Sequence, residues 1–336
     1  MGLLIGNRRY TGSKNTLLND IYESIAPYCK NKIIFADLFA GTGTVSSFML
    51  GKGMDVIVND TLRSNYIAYQ AWFGDGHFSM EKLEKLVSEF NLIDGNALEH
   101  NYFSNIYGNK YFSISDAKKI GYLRDTISNI RLTERERNIL LASLMYTADK
   151  IANTVGHFEH FLSEPPTDKG VILRLPKLEK FVGSATIHNI DANRLVRNII
   201  CDIAYVDPPY NARQYVNFYH VLENLVRWEK PTEFQGTSMK FKRDNLKSDY
   251  SKAKAPKVFK DLIDNLQAKL IVVSYNNTYF AKSSASNNKI TPSQLLETLS
   301  AKGEVIIKEI KHKSFNSGKT NFQDHKEILY TCETKP

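Results

Sequence analysis

The sequence predicts an α/β fold, an open parallel sheet interrupted by a largely helical insertion. Three observations carry this prediction. Residues 33–60 hold a strand, a glycine turn, a helix and a second strand within about thirty residues. Strand patterns then resume only after residue 185, and the stretch between has helical periodicity.

Taken in order, residues 14–28 place Leu17, Leu18, Ile21, Tyr22 and Ile25 on one helical face, and Pro27 limits the helix end. Residues 33–39 (IIFADLF) form a short apolar strand that runs into Gly41 and Gly43, and residues 45–50 read as the helix leaving that turn. Residues 54–60 (MDVIVND) complete the β-turn-α-β unit. From 62 to 165 the pattern is mostly helical, most clearly at 134–152, where Ile139, Leu140, Leu144 and Ile151 share a side. Strands follow at 185–191, 202–207, 269–275, 304–310 and 326–332, and residues 281–289 (AKSSASNNK) read as a flexible loop. The expected organisation is a catalytic domain of residues 1–61 and 186–336, a helical insertion at 62–185 and a basic segment at 230–260.

At 336 residues, with 42% hydrophobic and 24% charged, the chain has the composition of a folded protein of one large or two moderate domains. Against 36 acidic residues stand 44 Lys and Arg, a net charge of +8, which favours a polyanionic partner over an acidic protein. The excess is concentrated. Residues 231–260 carry eight basic and three acidic residues, residues 301–320 five and two, and residues 1–32 five and two. In 231–260 the cations interleave with Phe234, Phe241, Tyr250 and Phe259, a mixture found in nucleic-acid-binding loops and equally in solvated lysine-rich loops. Three widely spaced cysteines, Cys29, Cys201 and Cys332, exclude a disulfide framework or zinc ribbon and fit reduced thiols in the cytosol. No apolar run approaches the ~18–20 residues of a membrane helix, so a soluble intracellular protein is expected. His157-x-x-His160 lacks a third ligand in the sequence and reads as polar or partly buried histidines rather than a metal site.

Two motifs bear chemistry. Asp37-Leu38-Phe39-Ala40-Gly41-Thr42-Gly43 ends the first strand with two glycines, which let a ligand approach the backbone where a Cβ would exclude it. Asp60, at the end of the next strand, is placed to accept hydrogen bonds from ribose hydroxyls. Ser46 stands where a dinucleotide fingerprint has its third glycine, which points to an adenosine-containing ligand other than nicotinamide. Asp207-Pro208-Pro209-Tyr210 follows the apolar strand DIAYV and emerges at the carboxyl edge of the sheet. Two prolines make a rigid turn, so an acidic side chain and a carbonyl held by it can accept both hydrogens of an amino group while Tyr210 stacks on a planar base.

With these residues the chain resembles the Dam-like group of adenine-specific DNA methyltransferases, of the restriction-modification type, in which FxGxG precedes DPPY. Arg9-Tyr10-Thr11-Gly12-Ser13-Lys14 resembles that family's N-terminal motif, Asn59-Asp60 its acidic ribose-binding position, and Asn189-Ile190-Asp191-Ala192 the segment reaching the cofactor's adenine. Residues 211–225 and Ser274-Tyr275-Asn276-Asn277 resemble the same branch.

The resemblance implies a Rossmann-like S-adenosylmethionine-dependent methyltransferase. The cofactor would be held by Tyr10, Ser13, Lys14, Asp37, Phe39, Ala40, Gly41, Thr42, Gly43, Asn59, Asp60, Asp191, Ala192 and Asp207. Asp207, Pro208, Pro209 and Tyr210 would act on an adenine flipped from duplex DNA, with no metal. The implied partners are double-stranded DNA and a cognate restriction endonuclease encoded nearby, for a cytoplasmic, nucleoid-associated monomer or weak dimer. Arg213, Gln214, Lys240, Lys242, Arg243 and Lys247 are candidate DNA contacts, and either the insertion or the basic segment holds target recognition. Asp207 argues for adenine over cytosine, where Ser often stands there, and over glutamine, where Asn commonly does. An RNA adenine substrate, or a non-catalytic nucleic-acid-binding protein on the same fold, is the alternative.

Overall fold

The computed structural model describes residues 2–279, 286–311 and 326–335, so part of the 281–289 loop and of the basic stretch 301–320 lies outside the described residues. The chain forms two compact units, one comprising residues 12–61, 181–215 and 245–336 and the other residues 1–11, 62–180 and 216–244.

The first unit is built on a seven-stranded sheet: β1 (Ile34–Asp37), β2 (Asp55–Asn59), β3 (Ala185–His188), β4 (Ile200–Val206), β5 (Gln267–Asn276), β6 (Gly303–Lys311) and β7 (Lys326–Thr334). Their spatial order is β3-β2-β1-β4-β5-β7-β6. The first five run parallel. β7 is reversed, a departure from the expected parallel sheet. It runs back along β6 with Gly303 opposite Thr334 and Lys311 opposite Lys326, and so enters between β6 and β5. β4 is buried from Ile203 to Val206, as a central parallel strand covered on both faces must be. One face packs Phe259, Leu262 and Ile263 of helix Ala255–Asn265 and Leu295 and Leu299 of helix Pro292–Ser300 against Ala204, Val206, Ile271 and Val273. From β1 the chain builds outward through β2 and β3 on one side, and from β4 through β5, β7 and β6 on the other. The carboxyl ends of β1 and β4 therefore flank the switch point at which open α/β sheets bind ligands.

The second unit is mostly helical: Arg63–Phe73, Met80–Leu92, Tyr102–Tyr107, Ile114–Asn129, Glu134–Ile151 and, from Val216 on, the helix Tyr215–Arg227, bent at Tyr219. It takes in more chain than the expected 62–185. Residues 1–11 join it through backbone bonds from Leu3 N to Leu175 O (3.0 Å) and Lys177 N to Leu3 O (2.8 Å). Residues 216–244 join it because Val216, Phe218, Val221, Leu222 and Leu225 are buried. The basic segment 230–260 is thereby divided, its first part helical-unit and its second part sheet-unit.

Two buried charges fix helix ends in this unit. Helix Arg63–Phe73 begins at Leu62, which offers no capping side chain. The fully buried Glu223 substitutes, accepting from Ser64 N (2.7 Å), Arg63 N (3.2 Å) and Arg227 Nε (3.1 Å). At the carboxyl end of helix Tyr215–Arg227, Arg124 Nε donates to Leu225 O (2.7 Å) and Nη2 to Val226 O (3.1 Å). Replacing Glu223 by Ala leaves two amide donors and Arg227 without their acceptor. We expect Glu223→Ala to lower unfolding free energy by about 3 kcal/mol, read as a loss of thermal midpoint.

Candidate functional site

β1 and β4 are neighbours with Asp37 opposite Tyr205, so Asp37 and Asp207 reach the same sheet edge. Beyond Asp37 the turn is held by backbone bonds from Leu38 N to Tyr205 O (3.1 Å), Ala40 N to Asn59 O (2.9 Å) and Gly43 N to Ala40 O (2.7 Å). Gly41 and Gly43 take φ of 55° and 78°, the left-handed region that strains other residues, and Gly43 opens helix Thr44–Gly51. Asp37 is fully buried. Its Oδ2 accepts from Ser46 Oγ (2.7 Å), which explains a serine at the third-glycine position, while its Oδ1 has no partner. Burial pushes its carboxyl up to about 7, against the opposing Ser46 bond.

The other residues expected at a cofactor divide by what they touch. Asp60 Oδ2 accepts from Gly41 N (3.0 Å), which ties the second strand end to the glycine turn. Asn59 is a staple. Its amide nitrogen donates to Leu38 O and Ile190 O, both at 3.1 Å, and its oxygen accepts from Ile190 N (3.1 Å), joining three strand ends. Asp191 Oδ1 caps the short helix Ala192–Leu195 through Arg194 N (3.2 Å), and Ala192 is buried beside it. Phe39 meets Tyr250 edge-on at 5.1 Å, and the Thr42 and Thr44 hydroxyls bond each other at 2.8 Å. Ser13 Oγ is a second buried polar atom with no partner. Two unsatisfied buried oxygens, at Ser13 and Asp37, with a turn that a ligand can approach closely, suit a cofactor carrying an ammonium and hydroxyls. Tyr10 belongs to the helical unit instead. There its ring stacks on Tyr219 at 4.6 Å and its hydroxyl accepts from Asn65 Nδ2 (3.3 Å).

Asp207 to Tyr210 leaves β4 in a rigid turn whose last carbonyl, on Tyr210, accepts from Lys289 N (2.7 Å) and Tyr275 Oη (3.1 Å). Lys14, 7% exposed, reaches into the turn: its Nζ donates to Asp207 Oδ2 at 2.6 Å and to Tyr210 Oη at 3.0 Å. The Tyr210 hydroxyl also lies against Asp207 Oδ1 and at 2.6 Å from Glu327 Oε1. Glu327, 3% exposed at the start of β7, accepts further from Ser274 Oγ (2.6 Å) and stands 3.5 Å from Lys14 Nζ. Burial alone would lower the Lys14 pKa, but Asp207 and Glu327 outweigh it and hold the ammonium well above the ordinary lysine value. Burial pushes Asp207 upward while Lys14 opposes.

Glu327 and Ser274 went unrecognised as site members in the sequence. An acidic residue opening an apolar strand reads as the strand's wet end, and nothing local ties it to a tyrosine 117 residues away.

The candidate DNA contacts separate into surface and structural groups. Lys242 and Arg213 are exposed, Arg213 bonding Ser286 Oγ (3.0 Å). Gln214 is engaged on both ends of its amide with Ser248, Oε1 accepting from its N (2.7 Å) and Nε2 donating to its O (2.9 Å). Arg243, expected on the surface, is 8% exposed and bonds Asn217 Oδ1 (2.7 Å) and Phe241 O (2.9 Å), because the turn after Lys240–Phe241 folds it inward. Lys240 lies 3.8 Å from Glu159, and Lys247 is half-buried. His157 is not on a helix; its ring lies against Phe218 at 4.7 Å. Among the described residues no three His, Cys, Asp or Glu side chains gather as metal ligands, and no helix is long and apolar enough to cross a membrane.

Residues 10–280 match the family described as D12 class N6 adenine-specific DNA methyltransferase. The chain is 33% identical to modification methylase StsI of Streptococcus sanguinis over 98% of its own length and 52% of that protein's. It is 30% identical to type II methyltransferase M.NlaIII of Neisseria lactamica over 94% of this chain and 95% of that one. M.FokI of Planomicrobium okeanokoites is 29% identical over 80% of this chain and 44% of that protein. The chain thus spans about half the length of StsI and M.FokI and nearly all of M.NlaIII.

Because the Asp37 pKa is raised on folding, the stability its neutral form allows is complete below about pH 4 and is lost as pH rises to about 7. Asp37→Asn should therefore raise the thermal midpoint of the cofactor-free protein above pH 7, by roughly 2 kcal/mol or more in free energy, and leave it unchanged near pH 4. Melting curves across that range check the sign.

Proposed function

The chain belongs to the D12 class of N6 adenine-specific DNA methyltransferases. From that premise we propose that it moves a methyl group from S-adenosylmethionine to the exocyclic amino group of an adenine flipped out of duplex DNA. We further propose that it serves as the modification enzyme of a restriction-modification system, with its endonuclease encoded nearby. The observation that carries this is the Asp207–Tyr210 turn set beside the glycine turn at the switch point of one sheet.

The cofactor supplies an activated methyl carbon on a positively charged sulfur. The protein's part is geometric and electrostatic. Ser13, Asp37 and Asp60 offer oxygens to the cofactor's amino and hydroxyl groups at the ends of β1 and β2. Asp207 and the Pro208 carbonyl accept the two amino hydrogens of the adenine, which draws the nitrogen lone pair out of conjugation with the ring. Tyr210 holds the base plane by stacking, worth ~1–3 kcal/mol. The fixed Tyr210 carbonyl keeps this turn from yielding as the base enters. Flipping is required because the amino group is out of reach inside the stack. Lys242, Lys247 and Arg213 face the phosphates in this proposal, and Arg243 and Gln214 support the segments that carry them. The enzyme acts as a monomer or weak dimer in the cytoplasm, where its DNA lies.

The purified chain, given labelled S-adenosylmethionine and duplex DNA, should label N6-methyladenine; label on RNA alone, or on no nucleic acid, would remove the proposed activity. Asp207→Ala should abolish transfer, by at least ~10³-fold, while duplex binding by gel shift persists. Lys242→Ala with Lys247→Ala should reduce the salt slope of DNA affinity by about 2, whereas Arg243→Ala should act mainly on the thermal midpoint.

A further inference from the structure

Both carboxylate oxygens of Asp207 are already engaged, Oδ2 by the Lys14 ammonium at 2.6 Å and Oδ1 by the Tyr210 hydroxyl. A substrate amino group that is to bind Asp207 competes with these two donors for the carboxylate's lone pairs. Lys14 is the stronger competitor, because its bond to the carboxylate is charge-assisted on both sides. An ammonium 7% exposed does not leave a carboxylate for nothing, since an unpaired charge at that depth costs several kcal/mol. A second carboxylate must receive it.

We propose that Glu327 is a positioning residue that takes over the Lys14 ammonium when the substrate amino group takes its place on Asp207. The inference rests on the amino-methylation activity proposed above. Glu327 Oε1 lies 3.5 Å from Lys14 Nζ, so a movement of about 1 Å converts the long contact into a full ion pair. Its side chain is held in place to receive the charge by Ser274 Oγ, which donates at 2.6 Å, and faces the Tyr210 hydroxyl, whose one proton is shared between the two carboxylates; at 3% exposure water does not compete. Tyr210 Oη, 3.0 Å from Nζ, lies between the two carboxylates and keeps a hydrogen bond to the ammonium throughout the exchange. Lys14 thus guards the acceptor of the empty enzyme and yields it without becoming unpaired. No bond is made or broken in this step; one hydrogen-bond donor replaces another on Asp207.

The test is a cycle of Glu327→Gln, Lys14→Met and the double variant. Glutamine keeps an oxygen for Ser274 to donate to and removes the charge. Glu327→Gln should slow single-turnover methyl transfer at saturating cofactor about tenfold or more while cofactor Kd stays within about threefold. Glu327→Asp, which restores the charge, should recover part of the rate. In the Lys14→Met background Glu327→Gln should have little further effect, because it acts through Lys14. A wild-type rate for Glu327→Gln, or effects that multiply in the double variant, would overturn the inference. If the wild-type chain methylates no DNA, the proposed activity fails by itself. The same cycle read as thermal midpoints of the cofactor-free protein then decides the inference: the Lys14→Met and Glu327→Gln shifts should be sub-additive, and additive shifts would overturn it.

Discussion

The sheet unit converges on one buried ion pair, Lys14 with Asp207. Lys14 comes from the segment before the first helix, Asp207 from the end of β4, and the groups that complete the cluster from β5 (Ser274) and β7 (Glu327). A lysine and a carboxylate removed from water together are tolerated because each supplies what the other lost, and removing either alone costs about 3–5 kcal/mol. The pairing and its neighbours thus hold four separate chain segments together at the carboxyl edge of the parallel strands. The reversed β7 is what delivers Glu327 there: running antiparallel to β5, it brings its amino end to the edge where the parallel strands end.

The same edge carries the glycine turn, and the two halves have opposite electrostatic character. Around Asp207 both carboxylate oxygens face donors, and one ammonium, Lys14, stands between two carboxylates. Around Asp37 one carboxyl oxygen is buried without a partner and the group resists ionisation. The proposed reaction sets a cationic cofactor at the first half and a neutral amine at the second.

Much of this was legible in the residues. Strands such as DIAYV and KLIVVSY are continuous apolar runs because both faces of a parallel sheet are covered, and the Asp37–Gly43 and Asp207–Tyr210 turns advertise themselves through Gly and Pro, whose backbones are unlike any others. Long-range partnership was not legible. Glu327 stands 117 residues beyond Tyr210 and nothing in its local pattern shows it is buried. Arg243 and Gln214 look like surface cation and amide in a basic stretch, yet packing folds one onto Asn217 and the other onto Ser248. Tyr10 and Lys14, four residues apart, fall in different units, a division that periodicity does not mark. Composition counts charges; only the fold decides which of them water can reach.

Lys14 is held as a charged, water-excluded partner of the Asp207 carboxylate. Nitrogen-15 NMR of the lysine side chains measures this directly. One slowly exchanging ammonium signal is expected, which persists as pH rises past the ordinary lysine value and disappears in Lys14→Met. A Lys14 ammonium that exchanges as fast as an exposed one, or that is lost at the ordinary lysine value, would contradict it.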